Sequence, residues 1–254
     1  LDLTRVIAGP ICTRFLAALG AEVVRIDPVG FEESDLLVAD TTVGKRCAAL
    51  DLRSEKGRAR FEALVSRAHV LVHGYRSDAL AALGYEPERL RASNPALVTA
   101  ALDAYGFRGP WRARRGFDSL VQMSCGIAAR GQAVFGTDVP RPLPAQALDH
   151  GSGYLLAAAV CRALCDAQRD SSAIDARLSL AGTAKALVSM GETGDPNAPE
   201  PSAAQVQAYQ VEESGVFGRL RRVACPGRIE ESSPMWAQGA MRLGAGEASW
   251  GSLE

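Results

Sequence analysis

AALDLRSEKGRARFEALVSRAHVLV, residues 48–72, decides the fold. Ala48–Leu52 is short and apolar enough to be a strand. Ser54 then caps a helix running through Arg67, with Phe61, Leu64, Val65 and Ala68 recurring at the helical period. Val70–Val72 is a continuous apolar run of the kind buried on both faces of a parallel sheet. Strand, helix and strand in this order predict an α/β fold with a mostly parallel sheet, whose ligands sit at the carboxyl ends of the strands.

The flanking sequence extends the alternation. Leu1–Thr4 reads as the tail of a strand whose beginning is absent, and Arg5–Pro10 as a turn. Ile11, Phe15, Leu16 and Leu19 mark a helix ended by Gly20. Glu22–Ile26 is a β-branched strand stopped by Asp27–Gly30, and the acidic stretch Phe31–Val43 is expected to be a surface loop. Downstream, the pattern predicts a loop with a helical turn over Tyr75–Gly84, a short helix at Pro87–Ser93, a strand at Leu97–Leu102 and a helix at Phe117–Ala128. A long helix at Tyr154–Arg169, a strand at Ala173–Leu180 and a helix at Thr183–Met190 follow. Gly191–Gln205 is linker-like, Val216–Val223 is one further strand, and Leu253–Glu254 carries no argument.

Composition narrows the function. With 254 residues, 47% hydrophobic and 22% charged, the chain suits one globular domain, and a formal net charge of −1 gives no case for nucleic acid or a membrane surface. Tyr154–Cys161, the longest apolar run, is cut by Arg162 and is too short to span a bilayer. The start shows no basic and apolar leader, so a cytoplasmic protein is expected. Cys12, Cys47, Cys125, Cys161, Cys165 and Cys225 show no metal spacing, so reduced, buried thiols and no metal are expected.

Two stretches carry chemistry. In PLPAQALDHGSGYLL, residues 142–156, Asp149 stands at a helix start, where unpaired N–H groups favour an ionised carboxylate. From spacing alone helix capping explains such an Asp better than catalysis does, but Gly151 and Gly153 would let another molecule approach backbone and carboxylate together. GFRGPWRARRG, residues 106–116, is either a solvated positive loop or an anion clamp. Cys125 has no histidine placed by sequence to serve as its base, and a buried structural thiol is expected there.

Six pieces in order resemble the class III CoA-transferases, the family of formyl-CoA transferase, carnitine CoA-transferase and α-methylacyl-CoA racemase. They are DLTRVIAGPICTRFLAALGAEVVRID (2–27), VGKRCAALDLRSEKGR (43–58), AHVLVHGYRSDALAALG (68–84), NPALV (94–98), YGFRGPWRARRGFDSLVQ (105–122) and ALDHGSGYLLAA (147–158). The resemblance implies a doubly wound, mostly parallel, Rossmann-like sheet with flanking helices and an extended C-terminal segment. Residues 1–190 would form the large domain, and residues 191–254 a linker and a C-terminal return segment packing on it. It also implies an intertwined homodimer, with acyl-CoA and a carboxylic acid as substrates.

By the same resemblance Asp149 is the nucleophile, passing through a mixed anhydride and an aspartyl-CoA thioester. Arg5, Val6 and Ile7 would border CoA, while Lys45, Arg46 and Arg115 would meet its phosphates. Gly74 and Tyr75 would lie beside the nucleotide, and the backbone at Gly151 and Gly153 would stabilise an oxyanion. Phe117 stands where the racemase branch has His, which disfavours racemisation, because Phe exchanges no proton. Ala82 replaces an Arg that formyl-CoA transferase offers to the phosphates. The family's small domain should follow the Thr183–Met190 helix; here a linker leads straight to GVFGRLRRVACPGRI, so that domain is expected to be absent. Without its covering loop, either a partner chain, such as a full-length transferase, closes the site or the intermediate meets water and hydrolysis competes with transfer. The alternative is a catalytically weakened CoA-binding subunit or half of a composite transferase.

Overall fold

The computed structural model describes residues 1–75, 80–170, 174–191, 194, 198–230 and 233–251. Expectations for residues 76–79 of the loop after residue 75, for residue 173, for parts of the linker and for residues 253–254 lie outside the described residues.

The stretch at 48–72 folds in the expected order of strand, helix and strand, but the first strand is shifted to Lys45–Ala49 and the helix ends at Val65 rather than Arg67. Helix α3 (Glu55–Val65) starts where the Ser54 hydroxyl accepts the Gly57 N–H at 3.0 Å, and it buries Phe61, Leu64 and Val65. It links β3 (Lys45–Ala49) to β4 (Val70–His73). In β4, Leu71 and Val72 are both buried but join different core clusters, the signature of a strand covered on both faces.

With β1 (Asp2–Leu3), β2 (Val23–Asp27), β5 (Val98–Asp103) and β6 (Asp175–Ser179), these strands form a six-stranded sheet in the order β3-β2-β1-β4-β5-β6, every pair parallel. One face is covered by α3 and α4 (Pro87–Ser93) through Phe61, Leu64 and Leu90. The other is covered by α1 (Ala8–Ala18), α5 (Asp118–Ser124), α6 (Ile127–Phe135), α7 (Ala147–Asp170) and α8 (Leu180–Ser189), through residues such as Cys12, Val121, Leu156 and Ala184. The fold is therefore doubly wound α/β, and the strand order reverses direction between β1 and β4.

Several expectations need correction. Phe31–Val43 is not all loop: α2 occupies Asp35–Thr41, a helix hard to see because only Val38, Ala39 and Thr41 of it are buried. The single helix expected at Phe117–Ala128 is two, α5 and α6, broken where Gly126 takes φ +81°. Helix α7 begins at Ala147 rather than Tyr154, so Gly151 and Gly153 lie inside it. A Cβ on Gly153 would stand 2.6 Å from Ile11 Cγ2 and 2.7 Å from the Ala8 carbonyl. Its missing side chain is what lets α7 press against α1, and that packing overrides the low helix propensity of glycine. Phe15 and Tyr154 meet edge to face across the same contact, 5.2 Å apart.

The last strand expected at Val216–Val223 is half of a hairpin, β7 (Gln210–Gly215) with β8 (Gly218–Val223). A short helix, α9 (Ala203–Gln207), precedes it with a Ser202/Gln205 capping box. Residues 233–251 then run along the β3 edge. The Met235 N–H donates to the Ala18 carbonyl, the Gly246 N–H to the Cys47 carbonyl, and the Trp236 and Trp250 indoles to the carbonyls of Arg14 and Leu64.

Candidate active site

The chain leaves β1 towards β2 on one side and leaves β4 towards β5 on the other, so a crevice opens at the carboxyl ends of these two strands. A cavity of about 130 Å³ sits there. Its wall is the turn Thr4–Gly9 after β1, Gly74 after β4, Leu102–Ala104 at the end of β5, Gly116 and Phe117, Leu180, and Asp149. Of the positions singled out in the sequence, Arg5, Val6, Ile7, Gly74 and Asp149 converge here.

Asp149 lies in the first turn of α7, only 6% exposed. Its own N–H does not serve its carboxylate: it donates to Asp118 Oδ2 at 2.9 Å. Asp118, buried at the start of α5, also accepts from the Gln122 amide, and Gln122 Oε1 takes the Leu143 N–H at 2.7 Å. This pair ties the lead-in loop and the start of α7 to α5. It was not singled out in the sequence, although Asp118 and Gln122 stand four apart in FDSLVQ, the spacing that brings side chains together on a helix.

Burial first, then the nearby Asp118 carboxylate, pushes the Asp149 carboxyl up to about 7. The expectation that a helix start keeps Asp149 fully ionised at neutral pH is thus corrected. Desolvation and a like charge outweigh the helix terminus and favour the protonated form.

The turn Thr4–Gly9 is held from both ends. Asp2 Oδ1 accepts from the Thr4 N–H at 2.8 Å and from its hydroxyl, and the Val6 N–H donates to Glu33 Oε1 at 2.8 Å. Arg5 lies over Phe31, 4.5 Å from the ring centroid, and donates to the Tyr75 hydroxyl at 3.0 Å. Tyr75 therefore packs partly buried with Arg5 against it rather than standing free for a base. Helix α1 begins at the cavity wall, with Ala8 and Gly9 in its first turn, where N–H groups favour negative charge.

Other expected positions lie elsewhere. Lys45 is fully buried, its ammonium bonded to Asp2 Oδ2 at 2.9 Å, Thr13 Oγ1 at 2.7 Å and the Pro10 carbonyl at 3.0 Å. A phosphate cannot reach it. Arg46 is taken up by the Ser249 carbonyl and Glu22 on the β3 edge, away from the carboxyl ends. Arg115 is exposed in the loop after β5, in which Arg114 lies over Trp111, 4.3 Å from the ring centroid. Gly151 and Gly153 are helix-interior residues, whose N–H groups belong to the i→i−4 ladder rather than to a ligand.

Lys56 and Arg60 instead line a second hollow, of about 650 Å³, with Val29, Leu50 and Ser54 at the carboxyl end of β3. The thiols are also not uniformly buried: Cys12 and Cys47 are, but Cys125, Cys161 and Cys165 are exposed. Among the described residues no helix is long and apolar enough to cross a membrane, and no group of three His, Cys, Asp or Glu side chains is placed to hold a metal.

A doubly wound sheet with a buried carboxylate at its switch point defines an α/β protein with a ligand crevice at the carboxyl ends of its strands. The chain belongs to CoA-transferase family III, whose profile matches residues 1–217. It is 31% identical over 186 residues to the probable fatty acyl-CoA transferase Rv3272 of Mycobacterium tuberculosis, an alignment covering 68% of this chain and 47% of that protein. It is 28% identical to the formyl-CoA:oxalate CoA-transferase of a Bradyrhizobium species, over 65% of this chain and 41% of that one.

The crystal structure of Rv3272 superposes with a TM-score of 0.68 at 31% identity, covering 74% of this chain and 56% of that one. A family protein from Brucella suis, at 23% identity and a TM-score of 0.65 over 85% and 62%, shares the fold. The chain spans about half or less of the length of the curated relatives it matches.

Proposed function

We propose that this chain is the large-domain part of a CoA-transferase that moves CoA from an acyl-CoA to a carboxylic acid through Asp149. The observation that carries the reading is the Asp149 carboxylate in the wall of the switch-point cavity, 6% exposed and shifted to about 7. A carboxylate stripped of water and more basic than usual is a stronger nucleophile than one in solvent, and it needs no separate base.

The ionised Asp149 attacks the thioester carbonyl carbon; the C–S bond breaks and CoA leaves as thiolate with the electron pair, giving a mixed anhydride. The thiolate then attacks the Asp149 carbonyl and expels the donor's acid as carboxylate, leaving an aspartyl-CoA thioester. An incoming carboxylate reverses both steps, leaves as the new acyl-CoA and restores Asp149. The N-terminal amides of α1 at Ala8 and Gly9 are positioned in the cavity wall to favour the oxyanion, the role expected earlier of Gly151 and Gly153.

A cavity of about 130 Å³ takes only the thioester end. The nucleotide end would lie over the surface, where the hollow with Lys56 and Arg60 offers cations that Lys45 cannot. Phe117, 65% exposed beside the cavity, is the apolar surface that a second copy or a full-length transferase would cover to keep the anhydride from water.

Incubation with acyl-CoA and hydroxylamine, followed by mass spectrometry, tests the chemistry: a hydroxamate on Asp149 is expected. CoA binding without labelling would favour the second reading, a CoA-binding part of a composite transferase, which the half-length match to the relatives motivates. Absence of both defeats the proposal.

A further inference from the structure

Val6 adopts φ +67°, in the left-handed region. A β-branched residue is a marked outlier there and relaxes unless its surroundings hold it. The hold comes from the next strand. The loop after β2 brings Glu33 back so that Oε1 accepts the Val6 N–H at 2.8 Å, while Oε2 accepts from Arg25 Nη2 at 3.0 Å. Arg25, whose side chain is 0% exposed, is fixed in turn by Asp27, which accepts its Nε at 2.9 Å and its Nη2 at 3.1 Å. The Glu33 side chain is itself only 8% exposed, and both of its contacts are partly buried.

We infer that Glu33 is a positioning residue: by clamping Val6 in the left-handed conformation, it aims the Arg5–Gly9 wall of the cavity, including the first amides of α1, at the group bound beside Asp149. Without the acceptor, residue 6 returns to a right-handed or extended conformation. The turn then swings, because Thr4 on its other side stays pinned by Asp2. The inference rests on the CoA-transferase reading for what is bound, but the clamp acts on the backbone whatever the ligand.

A competing account is that Glu33 merely neutralises buried Arg25. The two separate in a mutant cycle, because glycine takes a positive φ at no steric cost. Glu33→Ala is expected to speed amide hydrogen exchange across residues 4–9 in the ligand-free protein. It should also weaken CoA binding, measured by calorimetry, about tenfold, the scale on which one strained residue acts.

Glu33→Gln keeps an acceptor for Val6 and is expected to bind CoA within about twofold of wild type, a change of a few tenths of a kcal/mol. Adding Val6→Gly to Glu33→Ala is expected to restore most of the lost affinity, and in transfer assays kcat should fall and recover together with the affinity, because the displaced α1 amides are the ones proposed to serve the oxyanion. Unchanged exchange in Glu33→Ala overturns the inference whether or not CoA binds. So does a Glu33→Gln variant as weak as Glu33→Ala, or a double variant with no recovery, since either assigns the effect to the Arg25 charge. Failure of the wild type to bind CoA, with exchange still altered, counts against the transferase reading alone.

Discussion

Asp2 and Asp149 are both buried carboxylates close to one cavity wall, yet their surroundings drive them in opposite directions. Burial alone would raise the Asp2 carboxyl, but Lys45, Arg25 and the hydroxyls of Thr13 and Thr4 outweigh it and hold it below the usual carboxylate range. Asp149 has burial without a cation, and its neighbour is another acid. The pair with Lys45 fixes the base of the turn, whereas the Asp149 carboxyl is raised by burial and by Asp118. Two acids pushed apart in this way fit the proposed division of roles, Asp2 to structure and Asp149 to chemistry.

Exchanging the roles should fail, and the largest failure is in activity. Asp149→Asn is expected to reduce transfer by about 10³-fold or more in a coupled CoA-transfer assay, since an amide cannot form the anhydride; activity near wild type would remove Asp149 from the chemistry. Asp2→Asn leaves the Lys45 ammonium buried without its counter-charge and is expected to cost about 3–5 kcal/mol in urea unfolding, with much of it recovered when Lys45→Met is added.

The same measurement on Asp149→Asn should give the opposite sign. The folded carboxyl titrates near 7, above its unfolded value, so its contribution to stability is full below the unfolded pKa, near 4, and lost as pH rises through about 7. At pH 8 the Asn variant is therefore expected to be more stable than wild type, by on the order of 1 kcal/mol. The smallest effect belongs to Asp118→Asn. Removing the like charge moves the acid limb of the kcat/KM profile to lower pH, but only in part, because burial is the larger cause of the shift. A limb that does not move would place another group behind it.

Much of this frame was legible in the sequence, because Val70–His73 is an almost continuous apolar run and Val23–Asp27 carries the β-branched Val23, Val24 and Ile26. The misses share a cause: a residue whose type argued one way and whose contacts decided the other. The strand expected at Ala48–Leu52 lies at Lys45–Ala49, because Lys45 looks like a surface charge until Asp2, forty-three positions away, is known to face it. Gly151 and Gly153 look like breakers until α1 is placed against them.

At the site, Asp149 and the Arg5–Ile7 turn could be read from the resemblance. Asp118 and Glu33 could not, because each acts through a backbone N–H of another segment and leaves no pattern of its own.

The strand-edge run of residues 233–251 bears on how the molecule is made. Its bonds to Ala18, Arg14, Cys47 and Leu64 join positions about two hundred apart in the chain. Closing so long a loop adds little to the equilibrium cost but slows the search, so this run is expected to dock after the sheet has assembled. Trp236 and Trp250 ride on it, so their fluorescence would time that last step of folding separately from sheet formation.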